Sequence, residues 1–314
     1  MKATLTLSIL VGAALLAITS LQLSGAAKAI PGVSRPSIMG IAHIALRIKD
    51  GAEARDFFGH VLGFDELPQE ETDRGNMRYT YFKVNDFQYI EISPTLSSST
   101  EDRLINIGFR TSDARGLRKY LSDHGITVPP ELSKDAAGDL SFSVQDPAGH
   151  TVEFIQYMPG SVESRNFGKF LSPRRTSHEV IHAGETVQDR AAADHLYGEI
   201  LGYRLMWHGG MTDTQTDWVD MVVPNGKNWL EFMLNVHNPT PRTLGVMNHF
   251  SLGVEDIQSV LATVKARGYE SGKPQIGRDG KWQLNLYDPD LTRVEFMEFK
   301  PVRKPCCSPM RTFN

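Results

Sequence analysis

Histidine and glutamate recur along this chain at near-constant spacing. His43 has a counterpart in His182, Glu91 in Glu231 and Glu153 in Glu295, at separations of 139, 140 and 142 positions. Asn106 stands where His249 stands 143 positions later. Neutral imidazole nitrogens and carboxylate oxygens together suit divalent Zn, Ni, Mn, Co or Fe(II). Two to four protein ligands leave coordination positions open. A small molecule with neighbouring oxygens can chelate there, and the metal polarises its carbonyl. A carboxylate that moves off the metal can act as a base. The second copy holds the fuller metal-ligand set, His182, Glu231, His249 and Glu295, with Glu231 and Glu295 as candidate catalytic bases. The first copy has an amide for one imidazole and is the weaker site. Taken singly, each residue has an ordinary reading. A strand Glu is usually solvated or paired with a cation, and Arg293 is close in sequence to Glu295. A lone strand His is more often hydrogen-bonded than metal-bound. The joint recurrence favours a metal site. Ligands bound at about 2.0–2.2 Å around one ion should lie roughly 3–4 Å apart.

Short alternating strands must carry these residues. Over 41–48, Ile44, Leu46 and Ile48 point one way, and His43, Ala45 and Arg47 the other. Over 249–254, Phe250, Leu252 and Val254 form an apolar face opposite His249, Ser251 and Gly253. Glu295 and Met297 share a side, opposed to Val294 and Phe296. The polar residues thus occupy faces not needed for helix packing, and a curved sheet gathers them into a cup. Glu185 breaks this parity by falling on an apolar face. Four segments emerge, each a strand, a helix and two or three more strands. Asp50 and Asp189 start helices that end at Leu62-Gly63-Phe64 and Leu201-Gly202-Tyr203, with Gly in the C-cap role. Helices at about 114–124 and 256–267 follow Asp113 and Asp256 and close at Gly125 and Gly268. Asp146-Pro147 and Asp288-Pro289 then open turns into alternating closing strands. The longest link, from about Met158 to Ser177, reads as the domain boundary. It favours pairing segment one with two and three with four. The swapped alternative would join His43, Glu91, His249 and Glu295.

The whole chain sets further bounds. Its 314 residues allow two domains of ordinary size. A net charge of −4 gives no reason to expect nucleic acid, and no Gly-rich phosphate loop or basic–aromatic stripe occurs. Lys2, an apolar stretch from Leu5 to Leu23 and Ala27-Lys28-Ala29 are laid out as a signal peptide over 1–29. The expectation is a secreted or periplasmic protein with no membrane attachment after cleavage; an uncleaved anchor is the alternative. The tail, 301–314, has three Pro and three Lys or Arg and reads as a loose end. Its two cysteines, Cys306 and Cys307, are neighbours and cannot staple the domains. A bond between them is disfavoured by disulfide geometry, and a vicinal redox pair is the alternative.

Four βαβββ-like segments, with His on opening strands and Glu on closing strands, resemble the vicinal oxygen chelate superfamily of glyoxalase I, extradiol ring-cleaving dioxygenases and antibiotic-resistance proteins. The resemblance covers about 38–300. It implies an α+β fold of two tandem glyoxalase-like domains, 38–158 and 178–300 about a linker at 159–177, each of two βαβββ modules forming a cupped sheet. Glyoxalase I relatives hold their metal on residues that match His182, Glu231, His249 and Glu295. Extradiol relatives use only the counterparts of His182, His249 and Glu295. They also carry an active-site His and Tyr before the last Glu. Here Gly280 to Tyr287 has no His, and Tyr287 is eight residues before Glu295, closer than that pattern. The resemblance therefore implies an exported, metal-dependent lyase or isomerase acting on a small oxygen-rich substrate. Ring-cleaving dioxygenation and non-catalytic small-molecule binding are the alternatives. Export fits poorly with glutathione-dependent chemistry, which points to another substrate. The first cup is expected to be degenerate.

Overall fold

A computed structural model describes residues 34–68, 73–74, 77–134, 137–270 and 272–313. The leader expected over 1–29 lies outside the described residues.

The first half contributes strands β1 (Ile38–Arg47), β2 (Asp65–Glu66), β3 (Asp73–Arg74), β4 (Met77–Arg78), β5 (Thr80–Asn85), β6 (Gln88–Ser93), β7 (Leu104–Thr111), β8 (Ser133–Lys134), β9 (Leu140–Gln145) and β10 (Thr151–Gln156). The second contributes β11 (Val180–Thr186), β12 (Arg204–Gly209), β13 (Trp218–Val222), β14 (Trp229–Met233), β15 (His249–Val254), β16 (Gln275–Ile276), β17 (Trp282–Tyr287) and β18 (Arg293–Glu298). One sheet has the order β2-β5-β6-β1-β7-β10-β9-β8, and the other repeats it as β12-β13-β14-β11-β15-β18-β17-β16. Each is two tandem modules joined by a central antiparallel pair, β1–β7 or β11–β15. Segment one thus pairs with two and three with four, and the swapped ligand set does not form.

Helices α1 (Gly51–Arg55), α2 (Ala114–Asp123), α3 (Val162–Arg165), α4 (Arg190–Ala193), α5 (Pro241–Met247) and α6 (Ile257–Ala266) complete the fold. Asp50, Asp113, Asp189 and Asp256 cap α1, α2, α4 and α6 by accepting backbone N–H bonds. After α1 and α4 the helix widens over Asp56–Val61 and Asp194–Ile200. There Leu62 N donates to Phe57 O, and Leu201 N to Leu196 O, both at 2.9 Å. Gly63 and Gly202 follow at φ of +79° and +76°, a left-handed conformation that favours glycine.

The two sheets share one core. Ile44, Phe109 and Phe154 of the first half and Phe232, Phe250 and Phe296 of the second are fully buried in it. Phe109 meets Tyr203 edge-to-face at 5.7 Å, and Phe57 lies 5.9 Å from Tyr269. Truncating such a ring costs about 3–5 kcal/mol. Polar bonds also cross between the halves. Val180 N donates to Gln88 Oε1 at 2.9 Å, and Gln88 Nε2 donates to Val180 O at 2.8 Å. Glu185, the residue that breaks strand parity, lies wholly inside this core. Burial, then the Asp146 charge, pushes its carboxyl well above the usual range.

The tail is not the loose end its composition suggested. Val302 N donates to Gly280 O at 2.9 Å and Cys306 N to Arg278 O at 2.8 Å. Ser308 Oγ accepts from His208 N and donates to His208 O. Arg311 N donates to Met206 O. Backbone pairing with the β16–β17 turn and with β12 outweighs the proline content. Cys306 and Cys307 are joined as a disulfide.

Candidate metal centre

The second sheet brings His182, Glu231, His249 and Glu295 to one point. His182 enters from β11, Glu231 from β14, His249 from β15 and Glu295 from β18. Register explains the convergence. Gly184 is opposite both Glu231 and His249, and Ser251 is opposite both His182 and Glu295. Four functional side chains therefore occupy two adjacent rungs of one face. His182 and His249 are fully buried side chains, Glu295 is 5% exposed, and Glu231, at 14%, is the most open.

His182, His249 and Glu295 offer ligand atoms within 4.8 Å of one another, and Glu231 lies beside both imidazoles. His182 Nε2 lies 3.2 Å from His249 Nε2, 3.2 Å from Glu295 Oε2 and 3.8 Å from Glu231 Oε2. His249 Nε2 lies 3.3 Å from Glu231 Oε2 and 3.7 Å from Glu295 Oε2. Ligands at about 2.1 Å around an ion have roughly these separations. The donor chemistry fits as well. His249 Nδ1 donates to Met247 O at 2.7 Å, which turns the lone pair of Nε2 into the cup. Gly184 makes room for that ring: a Cβ there would sit 2.1 Å from His249 Cε1.

Charges in the cup are strongly coupled. Burial raises Glu295, but contacts with His182 and His249 and the charge of Arg293 outweigh it, holding the carboxyl well below the usual range. Burial likewise raises Glu231, and His249 and His182 reverse the effect. Burial lowers the His182 imidazole despite both carboxylates. The same carboxylates draw His249 toward protonation against burial and Arg293. The guanidinium of Arg293 nevertheless reaches His249 Nε2 at 2.5 Å, which requires the neutral ring. The neutral ring is also the form a metal needs.

Sequence reasoning missed several of these neighbours. Arg293 was read only as a nearby partner for Glu295. Its i, i+2 relation to Glu295 already put it on the cup face. Asp220 is opposite Glu231 across β13 and β14, and burial followed by the Glu231 charge pushes its carboxyl well up. Beside these groups opens a cavity of about 390 Å³, lined by Trp207, Trp218, Asp220, Glu231, Asn285, Arg293 and Glu295 among others. Trp229 instead stacks at 5.1 Å from His182, and Trp282 packs on the main core. His208 is in β12, 3.4 Å from Thr216, and does not line the cavity.

The first sheet also gathers its set, but to a different end. His43 Nδ1 lies 3.2 Å from Glu91 Oε1, and Nε2 lies 2.9 Å from Asn106 Oδ1 and 3.4 Å from Glu153 Oε2. Asn106 Nδ2 donates to Glu153 Oε2 at 3.2 Å. Both ring nitrogens of His43 have oxygen neighbours, and Asn106 supplies an amide where His249 supplies an imidazole. Ala45 stands opposite Asn106, where Gly184 stands opposite His249.

Comparison with known proteins agrees with this architecture. No curated protein matches the sequence. Among solved structures, homoprotocatechuate 2,3-dioxygenase of Brevibacterium fuscum (E323L mutant) is similar with a TM-score of 0.63 and 19% identity, over 85% of this chain and 73% of that one. The Mn(II)-bound glyoxalase of Novosphingobium aromaticivorans gives 0.64 and 14% over 84% and 83%. The 2,3-dioxygenase LapB of Pseudomonas sp. KL28 gives 0.64 and 17% over 87% and 97%. At these identities the likeness is one of fold. The model of the Glyoxalase/Bleomycin resistance protein/Dioxygenase superfamily matches residues 40–154 and again 180–296. Two matches, one on each eight-stranded sheet, span most of the chain and make it a two-repeat member of that superfamily.

Proposed function

We propose that the second cup binds a divalent metal on His182, Glu231, His249 and Glu295, and that the protein is a lyase or isomerase of glyoxalase type. Its substrate would be a small molecule with adjacent oxygens. The observation that carries this reading is the placement of Glu231. Its Oε2 lies 3.3 Å from His249 Nε2 and 3.8 Å from His182 Nε2, close enough for it to join the His182, His249 and Glu295 group as a fourth donor. When bound, the metal supplies a Lewis acid that polarises a carbonyl and favours negative charge on neighbouring oxygens.

The remaining work falls to the protein. Glu231 is the most exposed donor and borders the cavity, so its carboxylate can shift to take a proton from substrate carbon. Glu295, close to both imidazoles, is the more fixed of the two carboxylates. Arg293 lines the cavity and can donate to a substrate oxygen. The residues that line the cavity on β17 are Gln283 and Asn285, neither of which titrates. This disfavours acid–base chemistry of the ring-cleaving kind. A second reading, dioxygenation, rests on the His182, His249 and Glu295 subset, whose ligand atoms lie within 4.8 Å of one another.

The test is reconstitution with Mn, Zn, Ni, Co or Fe(II) in separate samples. Each is assayed with small 2-hydroxy- and 2-oxo-carbonyl compounds and with catechols. The expected result is turnover in the carbonyl class that Glu231→Gln abolishes while metal remains bound. Catechol cleavage by the Fe(II) form, retained in Glu231→Gln, would replace this reading with the second.

A further inference from the structure

The structure assigns Cys306 and Cys307 as a reversible thiol–disulfide redox pair on the rim of the second cup, with Cys306 as the sulfur released as thiolate. The argument starts from what the bond does not do. A disulfide stabilises a fold mainly by closing a loop of the unfolded chain. Cys306 and Cys307 are adjacent, so no loop is closed. The tail is already held by backbone bonds at Val302, Cys306 and Arg311. The sulfurs are therefore free of a stapling role, and their surroundings decide their use.

Those surroundings are asymmetric. Arg278 Nη2 donates to Cys306 Sγ at 2.7 Å, but lies 3.8 Å from Cys307 Sγ. Cys307 Sγ instead faces the carbonyl of Thr212 at 3.6 Å. A guanidinium against sulfur stabilises thiolate, and a carbonyl does not. Asp213 opposes this at 3.4 Å from Cys306 Sγ, yet its side chain is 83% exposed and already paired with Arg278. Solvent screens that repulsion more than it screens the closer Arg278 contact. Both cysteines are partly exposed, so a small thiol can reach them. Arg278 itself is fixed by donating from Nε to Gly210 O at 3.0 Å, and it lines the cavity.

The exchange balances with a small thiol as reductant. Its thiolate attacks Cys307 Sγ, the S–S bond breaks, and the electron pair leaves on Cys306 Sγ beside Arg278. A second thiolate attacks the thiol-derived sulfur of the mixed disulfide and releases Cys307. The protein gains two electrons and two protons, and two thiols become one disulfide. Reoxidation runs the same steps in reverse.

Full-length protein is treated with excess dithiol under native conditions, pulsed with an alkylating agent at mildly acidic pH, and mapped by mass spectrometry. The pair should reduce with circular dichroism unchanged, and Cys306 should alkylate faster. Thiolate fraction rises tenfold per unit of lowered pKa, while nucleophilicity falls with a slope near 0.4–0.5, leaving about threefold per unit. Because Arg278→Gln can loosen the rim, a second measurement compares thiolate absorbance on titration of Cys307→Ser and Cys307→Ser/Arg278→Gln. The Arg278 change should raise the Cys306 titration midpoint. Resistance of the folded protein to dithiol, equal alkylation of both cysteines, or an unmoved midpoint would each overturn the assignment.

Discussion

Gly184→Ala is a one-methyl test of the second cup. The added Cβ would lie 2.1 Å from His249 Cε1, 2.4 Å from Nδ1 and 2.9 Å from Nε2, against at least 3.4 Å for ordinary contact. The ring must retreat by about 1.3 Å, a distance set by van der Waals contact. A metal–nitrogen bond tolerates about 0.2 Å. The metal-free protein can relieve the clash by turning His249, at the expense of its 2.7 Å bond to Met247 O. The metal-bound protein cannot turn it and keep the ligand. The overpacking strain, about 1–3 kcal/mol, therefore falls mostly on the bound state. That corresponds to binding weaker by roughly 5- to 150-fold. Calorimetric titration with Zn or Mn measures it, and Trp229, 5.1 Å from His182, offers a fluorescence readout. Affinity within twofold of the parent, with the fold intact, would refute the reasoning that Gly184 exists to seat a ligand.

Three other outcomes are expected. His249→Ala should lower metal occupancy much more than Asn106→Ala, read by metal analysis of both purified variants. Arg293→Ala should raise metal affinity by roughly 10- to 150-fold, because a charge-assisted bond to His249 of about 1.5–3 kcal/mol no longer competes, as competition with a chromophoric chelator would show. Burial, above all, pushes Asp288 up to about 7 in the folded chain, so its contribution is fully present below the unfolded carboxylate range and is lost as pH rises through about 7. Asp288→Asn, whose amide oxygen still accepts from Thr292 N and Asp290 N, should gain on the order of 2–4 kcal/mol at pH above 7 and almost none near pH 4, measured by urea unfolding.

The convergence of these four side chains was legible because strands alternate. A His or Glu on the polar parity of a half-buried strand must face away from the helices, and duplication supplied an internal control at each position. Asp caps and Leu-Gly-aromatic endings marked the helices for equally local reasons. Contacts between distant segments were not legible. The use of Gly184 depends on β11 lying beside β15, which no local pattern states. Glu185 looked like an error of parity until Tyr197 and Asp146 came beside it. The tail looked disordered because proline content carries no information about a waiting edge at Met206, His208 and Gly280.

The two cups meet one physical demand in different ways. A pair of buried carboxylates facing each other needs a cation between them. In the first cup His43 lies between Glu91 and Glu153 and serves as that cation when protonated. In the second, two imidazoles face the carboxylates, and Arg293 stands beside them where the first copy has Thr151. The difference rests on two positions, Asn106 against His249 and Ala45 against Gly184. Asn106→His alone should fail to create a second metal site, because the Ala45 methyl would occupy the space that Gly184 leaves for a ring. Ala45→Gly/Asn106→His should supply both the second imidazole and its seat, releasing His43 from its amide partner. Metal bound per chain, measured by elemental analysis after exhaustive dialysis, should then rise above that of the parent protein. A double variant that binds no more metal than the parent would show that the first cup is held closed by more than these two side chains.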